Sequence, residues 1–395
     1  MTRSEMNGKR NSSKEEGAIF MGSVTVDQLN KEFSGVKALN NVNLEIKEGE
    51  FFALLGPSGC GKTTTMRCIA GFEEPTSGVI RIGEEKVNHI PPNKRNCGMV
   101  FQSYALFPHM NVFENVAYSL NIKQLNEKNV LAKMGVYARL LNRRLGRMPK
   151  EMERKVMEIL EYMELEPYAD RLTSELSGGQ QQRVALGRAL VMEPAVLLMD
   201  EPLSNLDQKL RHSMRNTIRR IQQDLGITTI FVTHDQEEAM SMADRVAVMN
   251  NGEVKQIGRP TDLYSHPSSP FIANFVGTSN MLNVQSIERV GSYSIIKGEG
   301  FALKTNHQSK EKGTVIIRPE SIQIHHADTE MNPELMNILE GEILISTYLG
   351  SIVRYEVKAA GHTLIVDATY ASGESILKPG TKVKLAIEPE RVLVI

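Results

Sequence analysis

The sequence has no long apolar run and almost no net charge. None of its uninterrupted hydrophobic stretches approaches the roughly 18 residues that cross a bilayer, so we expect no membrane-spanning helix and a protein that is soluble by itself. The 46 Lys and Arg residues nearly balance the 47 Asp and Glu residues, which leaves a formal charge of -1. No global field therefore draws the protein to nucleic acid or to an anionic bilayer, and any such contact must be local.

Cysteines are few, and a secretion signal is missing from the first twenty residues. The three cysteines, Cys60, Cys68 and Cys97, are an odd number without metal-ligand spacing, which argues against a disulfide framework and a zinc site. This usage favours a reducing cytosol. Residues 1–20 mix charges with Ser, Gly and Asn and lack the apolar core of a signal. We predict that residues 1–22 form a flexible tail, with Met21 as an alternative start.

The 395 residues are enough for two or three domains. Residues 23–258 alternate short apolar strands with amphipathic helices, which predicts an α/β domain with a mainly parallel sheet. Residues 259–280 are rich in Pro and Ser and are predicted to be a linker with one short helical stretch at about 271–276. Residues 281–395 are patterned almost entirely as strands, and we predict a small β-barrel there.

A glycine-rich segment in the first domain has the pattern of a phosphate-binding loop. It reads G-x-x-x-x-G-K-T and lies between an apolar strand and a helix-like run. Its glycines let backbone N–H groups converge on phosphate oxygens, Lys62 adds a full positive charge, and the Thr63 hydroxyl suits Mg²⁺. The residues predicted to bind the nucleotide here are Gly56, Pro57, Ser58, Gly59, Cys60, Gly61, Lys62, Thr63 and Thr64.

Two carboxylates follow a second apolar run. Residues 196–199 read Val-Leu-Leu-Met, and Asp200 and Glu201 come directly after them. An apolar run of this length is typical of a buried parallel strand, whose carboxyl end faces the nucleotide in such sheets. Asp200 is suited to hold Mg²⁺ through water, and Glu201 is suited to orient or deprotonate an attacking water.

A second anion site is predicted at residues 176–180, Leu-Ser-Gly-Gly-Gln, where a helix begins. This segment lies too far along the chain to serve the phosphate loop of its own protomer, so a symmetric partner must present it. The phosphate loop, residues 176–180, residues 196–201, residues 204–207 and His234 follow one another in this order. Together they resemble the nucleotide-binding subunit of an ABC transporter, and the strands after residue 280 resemble the regulatory domain of importer ATPases.

The resemblance implies roles for individual residues. Phe33 would stack on adenine, and Gln102 would contact Mg²⁺ or water and couple to the membrane partner. Asp207 would communicate across a dimer, while His234 would contact the γ-phosphate and hold the water or Glu201. The remaining implied contacts, to the γ-phosphate bound by the opposite protomer, are made by Ser177, Gly178, Gly179 and Gln180.

The resemblance also implies an architecture and partners. The fold would be an α/β P-loop NTPase, an ABC nucleotide-binding domain with a helical subdomain at about 103–176, followed by an all-β OB-like barrel. Two copies would form a homodimer that sandwiches two ATP molecules with Mg²⁺ and drives a separate integral membrane permease. An extracytoplasmic solute-binding protein would act indirectly, nucleic acid would not be bound, and the subunit would lie on the cytoplasmic face of the cell membrane.

Some points stay open in the sequence. Related chains serve spermidine and putrescine, iron or sugars, and residues 348–354 favour the polyamine and iron side. The alternative is a soluble non-transport ABC ATPase that acts on the ribosome or DNA, although such chains usually carry two nucleotide domains or long coiled coils. A P-loop kinase or GTPase would leave residues 176–180 without a role.

The stretch 121–155 is the most basic part of the predicted helical subdomain, with ten Lys or Arg residues against three Glu residues. A functional interpretation places it against lipid headgroups or an acidic permease loop. The alternative is a solvated helical face.

Overall fold

The computed structural model describes residues 22–127, 136–137, 148–307, 313–373 and 375–395. The chain divides into two compact units, Met1–Pro260 and Thr261–Ile395. The predicted flexible tail and the middle of the basic stretch 121–155 lie outside the described residues. In the part of the chain that is described, no helix has both the length and the apolar character needed to cross a membrane.

The first unit contains a small antiparallel sheet in the order β2-β1-β4-β5. One face of this sheet is buried, with Val24, Leu39, Ile46 and Ile80 fully enclosed in a core that it shares with the larger sheet. The strands are β1 (Val24–Phe33), β2 (Val36–Ile46), β4 (Ser77–Ile82) and β5 (Glu85–Lys86).

The larger sheet has six strands in the order β10-β9-β3-β8-β7-β6. The five strands from β9 to β6 are parallel, and β10 adds to the edge as an antiparallel hairpin. All residues of β3 and β8 are buried, as expected for central strands that are covered on both faces. The strands are β3 (Phe51–Leu55), β6 (Cys97–Val100), β7 (Val196–Asp200), β8 (Thr228–Thr233), β9 (Arg245–Asn250) and β10 (Glu253–Gly258).

Helices cover both faces of the larger sheet. Neighbouring residues of a strand point to opposite faces, so Phe51 packs in the core on one side and Phe52 in the core on the other. The helix that follows Asp207 has an apolar stripe in which Met214, Ile218 and Ile221 are buried. The helices are α1 (Lys62–Ala70), α2 (Val112–Glu127), α3 (Lys150–Tyr162), α4 (Gly178–Leu190), α5 (Gln208–Leu225) and α6 (Gln236–Met242).

The predicted linker 259–280 contains two helices, so the prediction of a single helical stretch is wrong. They are α7 (Pro260–Ser265) and α8 (Pro270–Val276). Each begins with a proline, whose fixed φ and missing N–H suit the first position of a helix. Pro260 and Pro270 therefore mark helix starts and do not belong to an irregular connector.

The second unit is all-β beyond α8, as predicted. Its strands form three antiparallel sheets around one apolar core, in the orders β11-β15-β21, β12-β13-β14 and β16-β20-β17-β18-β19. The strands are β11 (Asn280–Asn283), β12 (Ser286–Val290), β13 (Tyr293–Gly298), β14 (Phe301–Thr305), β15 (Thr314–Ile317), β16 (Ile322–His326), β17 (Asn337–Tyr348), β18 (Ile352–Ala359), β19 (His362–Thr369), β20 (Lys382–Ile387) and β21 (Leu393–Val394).

Strands β18 and β19 form a hairpin. Val353, Tyr355 and Val357 are buried on one face of β18, and the strand pairs with β19 from Ile352 onward. Ala360 and Gly361 connect the strands with φ values of 53° and 81°. Positive φ at both positions matches the twist that a two-residue hairpin loop needs.

Candidate functional site

The strand order of the larger sheet brings four loops to one edge. Strands β3, β8, β7 and β6 are neighbours and parallel, so their carboxyl ends meet there. The phosphate loop (residues 56–63) follows β3, and His234 follows β8. Asp200 ends β7 and is followed by Glu201, and Gln102 lies just after β6. Four of the predicted segments, which are scattered over almost 180 positions of sequence, therefore converge at the edge where open α/β sheets bind ligands.

The phosphate loop has a backbone that requires its glycines. Gly59 and Gly61 have φ values of 77° and 106°, in the left-handed region. A Cβ atom on Gly61 would lie 2.7 Å from Leu39 Cδ2 and 2.9 Å from the Ala38 carbonyl oxygen. A Cβ on Gly56 would lie 2.4 Å from the Met249 carbonyl oxygen. The loop is thus pressed against β2 and β9 while it leads into the N-terminus of α1, where free backbone N–H groups favour anions.

Lys62 lies inside this loop and is only 5% exposed. Its Nζ donates hydrogen bonds to the carbonyl oxygens of Gly56 at 2.7 Å and Pro57 at 2.9 Å, and it lies 3.7 Å from Cys60 Sγ. These partners in the described chain are uncharged acceptors. The ammonium group therefore brings a full positive charge to the loop, which suits a phosphate.

Thr63 and Asp200 bring two oxygen atoms together at the same edge. The Thr63 hydroxyl donates to Asp200 Oδ1 at 3.0 Å, which joins the first turn of α1 to the end of β7. Burial raises the pKa of Asp200 above its ordinary value, while the hydrogen bond from Thr63 opposes the shift.

Two side chains that follow the neighbouring strands contact the Glu201 carboxylate. His234 Nδ1 lies 3.1 Å from Glu201 Oε2, and Gln102 Nε2 donates to the same oxygen at 3.4 Å. The backbone N–H of Glu201 donates to the Val232 carbonyl at 3.0 Å, and Glu201 has a φ of 43°. A left-handed backbone costs energy in a residue other than glycine and is found at positions where a side chain must be aimed.

A pocket of about 160 Å³ opens between the phosphate loop and Glu201. It joins a phosphate-binding backbone, a cation and a carboxylate that is restrained by two neighbours. Within the described part of the chain, residues 176–180, Asp207 and Phe33 do not line it. The lining residues are Ala38, Ser58, Gly59, Cys60, Gly61, Lys62, Thr63, Thr64 and Glu201.

Residues 176–180 form the start of α4 on another part of the first unit. Ser177 is the N-cap, and it forms a capping box with Gln180, in which each side chain accepts from the other residue's backbone N–H. A Cβ on Gly179 would lie 2.9 Å from Leu210 Cδ1, so α4 packs closely on α5. Asp207 is the N-cap of α5 and accepts from the Leu210 N–H at 2.9 Å.

Phe33 lies at the end of β1 and is 42% exposed, so it is not a core residue. The Lys31 ammonium lies 4.6 Å from the centre of its ring. An exposed ring with one cation on its surface is available for stacking on a flat ligand.

Two residues that the sequence analysis did not single out fix the loop that carries Gln102. Asn205 Nδ2 donates to the Gln102 carbonyl at 2.8 Å. Arg188, on α4, donates to the carbonyls of Tyr104 at 2.8 Å and Ala105 at 2.7 Å. More than eighty positions separate each donor from its acceptor, so no local sequence pattern predicts these contacts.

Comparison with known proteins agrees with this geometry. The family model for ABC transporters matches residues 39–204, and the model for the TOBE domain matches residues 315–395. The chain is 43% identical over 366 residues to a spermidine/putrescine import ATP-binding protein, PotA, of Thermobifida fusca, covering 91% of this chain and 88% of that protein. It is 42% identical over 380 residues to an Fe(3+) ions import ATP-binding protein of Rhizobium meliloti, covering 95% and 99%.

The chain belongs to the ABC transporter family, among the ATP-binding subunits of importers. Solved structures agree with this ABC fold. The protein cbiO1 of Clostridium perfringens, part of the ABC transporter complex cbiONQ, matches with a TM-score of 0.51 at 30% identity, and the match covers 62% of this chain and 90% of that one. The ADP conformation of the cassette MJ1267 matches with a TM-score of 0.54 at 26% identity, covering 64% and 98%.

Membership in the ABC importers establishes the activity in outline. The subunit hydrolyses ATP and so energises import through a membrane permease, as part of a dimeric ATPase that is peripheral to the membrane. The predicted P-loop NTPase fold and the C-terminal OB-like β domain are confirmed. Nothing in the relatives favours the alternative of an ABC ATPase that acts on the ribosome or DNA.

Proposed function

We propose that ATP is hydrolysed at the carboxyl edge of the larger sheet, with Glu201 as the residue that orients and deprotonates the attacking water. The observation that carries this role is the double restraint on its carboxylate by His234 and Gln102 at the wall of the pocket. Phosphoryl transfer depends on positioning and charge more than on covalent chemistry. Lys62 and the phosphate-loop amides neutralise the phosphates, and His234 contacts the γ-phosphate and steadies Glu201.

Mg²⁺ fits the oxygen atoms that Thr63 and Asp200 place 3.0 Å apart. Among the described residues, no group of three or more His, Cys, Asp or Glu side chains is arranged to hold a metal ion. Mg²⁺ typically uses one or two protein oxygens and takes its other ligands from substrate phosphates and water, so this sparse site suits it. Thr63 and Gln102 would hold the ion directly and Asp200 through water, and the bound ion would neutralise developing charge on the phosphates.

Two copies of the chain complete each ATP site, as a homodimer. The pocket at Glu201 is not lined by residues 176–180, although that segment carries a helix N-terminus that suits a phosphate. Ser177, Gly178, Gly179 and Gln180 of one protomer grip the γ-phosphate that is bound by the phosphate loop of the other. Asp207 communicates between the sites, and Phe33 stacks on the adenine of its own protomer.

The permease docks beside the loop that carries Gln102. Phe72 is 53% exposed, and its ring packs edge-on against Phe101, with 5.9 Å between centroids. Gln102 follows the half-buried Phe101 directly and contacts Glu201, so a force applied to the exposed Phe72 ring reaches the carboxylate through Phe101 and Gln102. Arg188 extends the same connection to α4 and thus to Ser177.

The two compact units suggest two domains with different functions. We assign the nucleotide-binding domain to residues 23–258, with the helical subdomain at about 103–176, and the regulatory domain to residues 281–395. The compact units divide after Pro260, and the TOBE match lies within the second unit. The subunit lies on the cytoplasmic face of the cell membrane, where an extracytoplasmic binding protein reaches it only through the permease.

The imported solute is a polyamine or ferric iron. Relatives at 43% and 42% identity carry the names of spermidine/putrescine and Fe(3+) importers, and both alignments span about nine tenths of this chain or more. The solute does not contact an ATP-binding subunit, so its chemistry has to be read from the partner proteins.

One experiment tests this function. Tagged Glu201→Gln protein is trapped with ATP in gently solubilised native membranes, and co-purifying proteins are identified by mass spectrometry, with a sample without ATP as control. We expect a polytopic permease and an extracytoplasmic binding protein whose recovery rises with ATP, and binding assays on the latter then identify the solute. Recovery of ribosomal proteins or nucleic acid without a membrane protein would overturn the proposal.

A further inference from the structure

A buried carboxylate lies behind His234. Glu238, on α6, is 3% exposed, and its Oε2 accepts a hydrogen bond of 2.5 Å from the Thr233 hydroxyl. The oxygen of this hydroxyl also accepts from the backbone N–H of Asp235 at 3.0 Å. The residues on both sides of His234 are therefore joined through one hydroxyl group, and Glu238 is the acceptor that fixes the direction of its proton.

The direction of this proton matters for the backbone around His234. A threonine hydroxyl has one proton and two lone pairs. When the hydroxyl donates its proton to Glu238, a lone pair is left to accept from the Asp235 N–H. This second hydrogen bond holds the backbone turn between β8 and α6. A further hydrogen bond holds the start of α6, because the Glu238 N–H donates to Oδ1 of the N-cap residue Asp235 at 3.2 Å.

Arg211 connects this cluster to the segment before Asp207. Its Nε lies 3.7 Å from Glu238 Oε1, and its Nη1 lies 3.6 Å from Asp235 Oδ2. Its Nη2 donates to the Leu206 carbonyl at 3.1 Å. One guanidinium thus contacts the turn that carries His234 and the residue immediately before Asp207.

Burial of the Glu238 carboxylate costs folding free energy. Burial raises the pKa of Glu238, and the Thr233 hydroxyl together with Arg211 and Arg215 opposes the shift. A buried charge of this kind is often no better for stability than an apolar side chain of equal size. Its contribution is better explained by the geometry that it imposes on the turn beside the ATP site.

We infer that Glu238 is a positioning residue for His234, acting through Thr233, and that Arg211 couples this position to Asp207. This inference rests on the proposed role of His234 in hydrolysis. It adds a connection inside one protomer between the residue that contacts the γ-phosphate of its own site and the segment that communicates with the site across the dimer.

The first test exchanges the Thr233 side chain. Thr233→Val keeps the shape but removes the hydroxyl, whereas Thr233→Ser restores it. We expect Thr233→Val to lower kcat at least about tenfold with the KM for ATP changed by less than about threefold, and Thr233→Ser to keep kcat within about threefold of the parent. Equal kcat values for the Val and Ser variants would overturn the inference.

A second measurement separates positioning from loss of fold. Residues that act through one group are not additive, so Thr233→Val should cause no further loss of kcat in a His234→Ala background. The same loss in both backgrounds would mean that the hydroxyl acts on stability and not on His234. A His234→Ala protein that hydrolyses ATP at the parent rate would instead remove the proposed role of His234, whatever the Thr233 variants do.

Arg211 is tested by the coupling of the two sites. In the full-length dimer, Arg211→Met should lower the Hill coefficient for ATP toward 1, because ATP binding at one site no longer changes the affinity of the other site. Arg220→Met, on an exposed position of the same helix, is the matched control and should keep the parental coefficient. An Arg211→Met protein with parental cooperativity would overturn the coupling part of the inference.

Discussion

His234 Nδ1 lies 3.1 Å from Glu201 Oε2, although 32 residues lie between them in the chain. The contact exists because β7 and β8 are parallel neighbours in register, with Asp200 paired to Val232. Each strand therefore ends at the same level of the sheet. The imidazole and the carboxylate therefore face each other at this edge of the sheet.

Replacement of His234 should impair turnover more than binding. His234→Ala removes one of two restraints on Glu201, and we expect kcat to fall roughly 100-fold while the KM for ATP stays within a few fold, as for loss of a positioned polar group. Steady-state ATPase assays measure both constants. The control is His89→Ala, since the His89 side chain is 83% exposed. A raised KM with unchanged kcat would contradict the assignment.

Ser177 should show separable structural and functional roles. Asp is as good an N-cap as Ser, so Ser177→Asp should keep the capped start of α4, whereas Ser177→Ala should lose about 1 kcal/mol of unfolding free energy. A carboxylate facing the partner's γ-phosphate repels it, so Ser177→Asp should abolish ATPase activity. Chemical denaturation and ATPase assays check the two effects. An active Ser177→Asp protein would rule out a phosphate contact at this position.

Arg95 should be important for stability. It is 4% exposed and donates to four carbonyl oxygens, those of Cys68 and Ile69 at the end of α1 and those of Asn88 and Ile90. Arg95→Met removes the side-chain donor from all four acceptors, although the Cys68 carbonyl keeps a backbone donor, the Gly71 N–H at 3.3 Å, and the free energy of unfolding should fall by about 3 kcal/mol or more. Denaturant unfolding measures it, with the exposed Arg81→Met as control. A loss no larger than that of the control would contradict the account.

Tyr162 gives an expectation for pH. Its hydroxyl donates to Asp224 Oδ2 at 3.0 Å, between α3 and α5, and burial, followed by this bond, raises its pKa to about 12. The contribution of the hydroxyl to stability is thus present below the ordinary tyrosine pKa of about 10 and is lost as the pH rises toward 12. Tyr162→Phe should destabilise the protein at pH 7 and by less at pH 11, as measured by urea unfolding. An equal difference at both pH values would contradict this.

Much of the site could be predicted because its residues follow strand ends. The phosphate loop follows β3, Asp200 and Glu201 follow the apolar residues of β7, and His234 follows β8. Apolar runs and glycine spacing reveal such positions locally. The strand order β3-β8-β7-β6 is a property of tertiary packing, so the contact of Glu201 with Gln102 had to come from the structure, and a contact with His234 was implied only by the family resemblance.

Other features left no local signal. Arg188 and Asn205 hold the Gln102 loop by donating to backbone carbonyls, which any sequence provides. Glu238 resembles a solvent-exposed acid of a helical first turn, and only the packing of α6 on the sheet buries it. The strands of the second unit were evident from their alternation, whereas their division among three sheets depends on pairings such as β11 with β15 across 30 residues.

The central claim is that Glu201 activates the water that attacks ATP, and Glu201→Gln tests it most directly. The amide keeps the shape of the side chain but is not a base, so we predict that turnover falls by about 1,000-fold or more while ATP stays bound. Single-turnover assays with Mg-ATP, together with the bound nucleotide per protomer, give both values, and Glu158→Gln, an exposed site, is the control. Hydrolysis by Glu201→Gln at the parent rate would contradict the account.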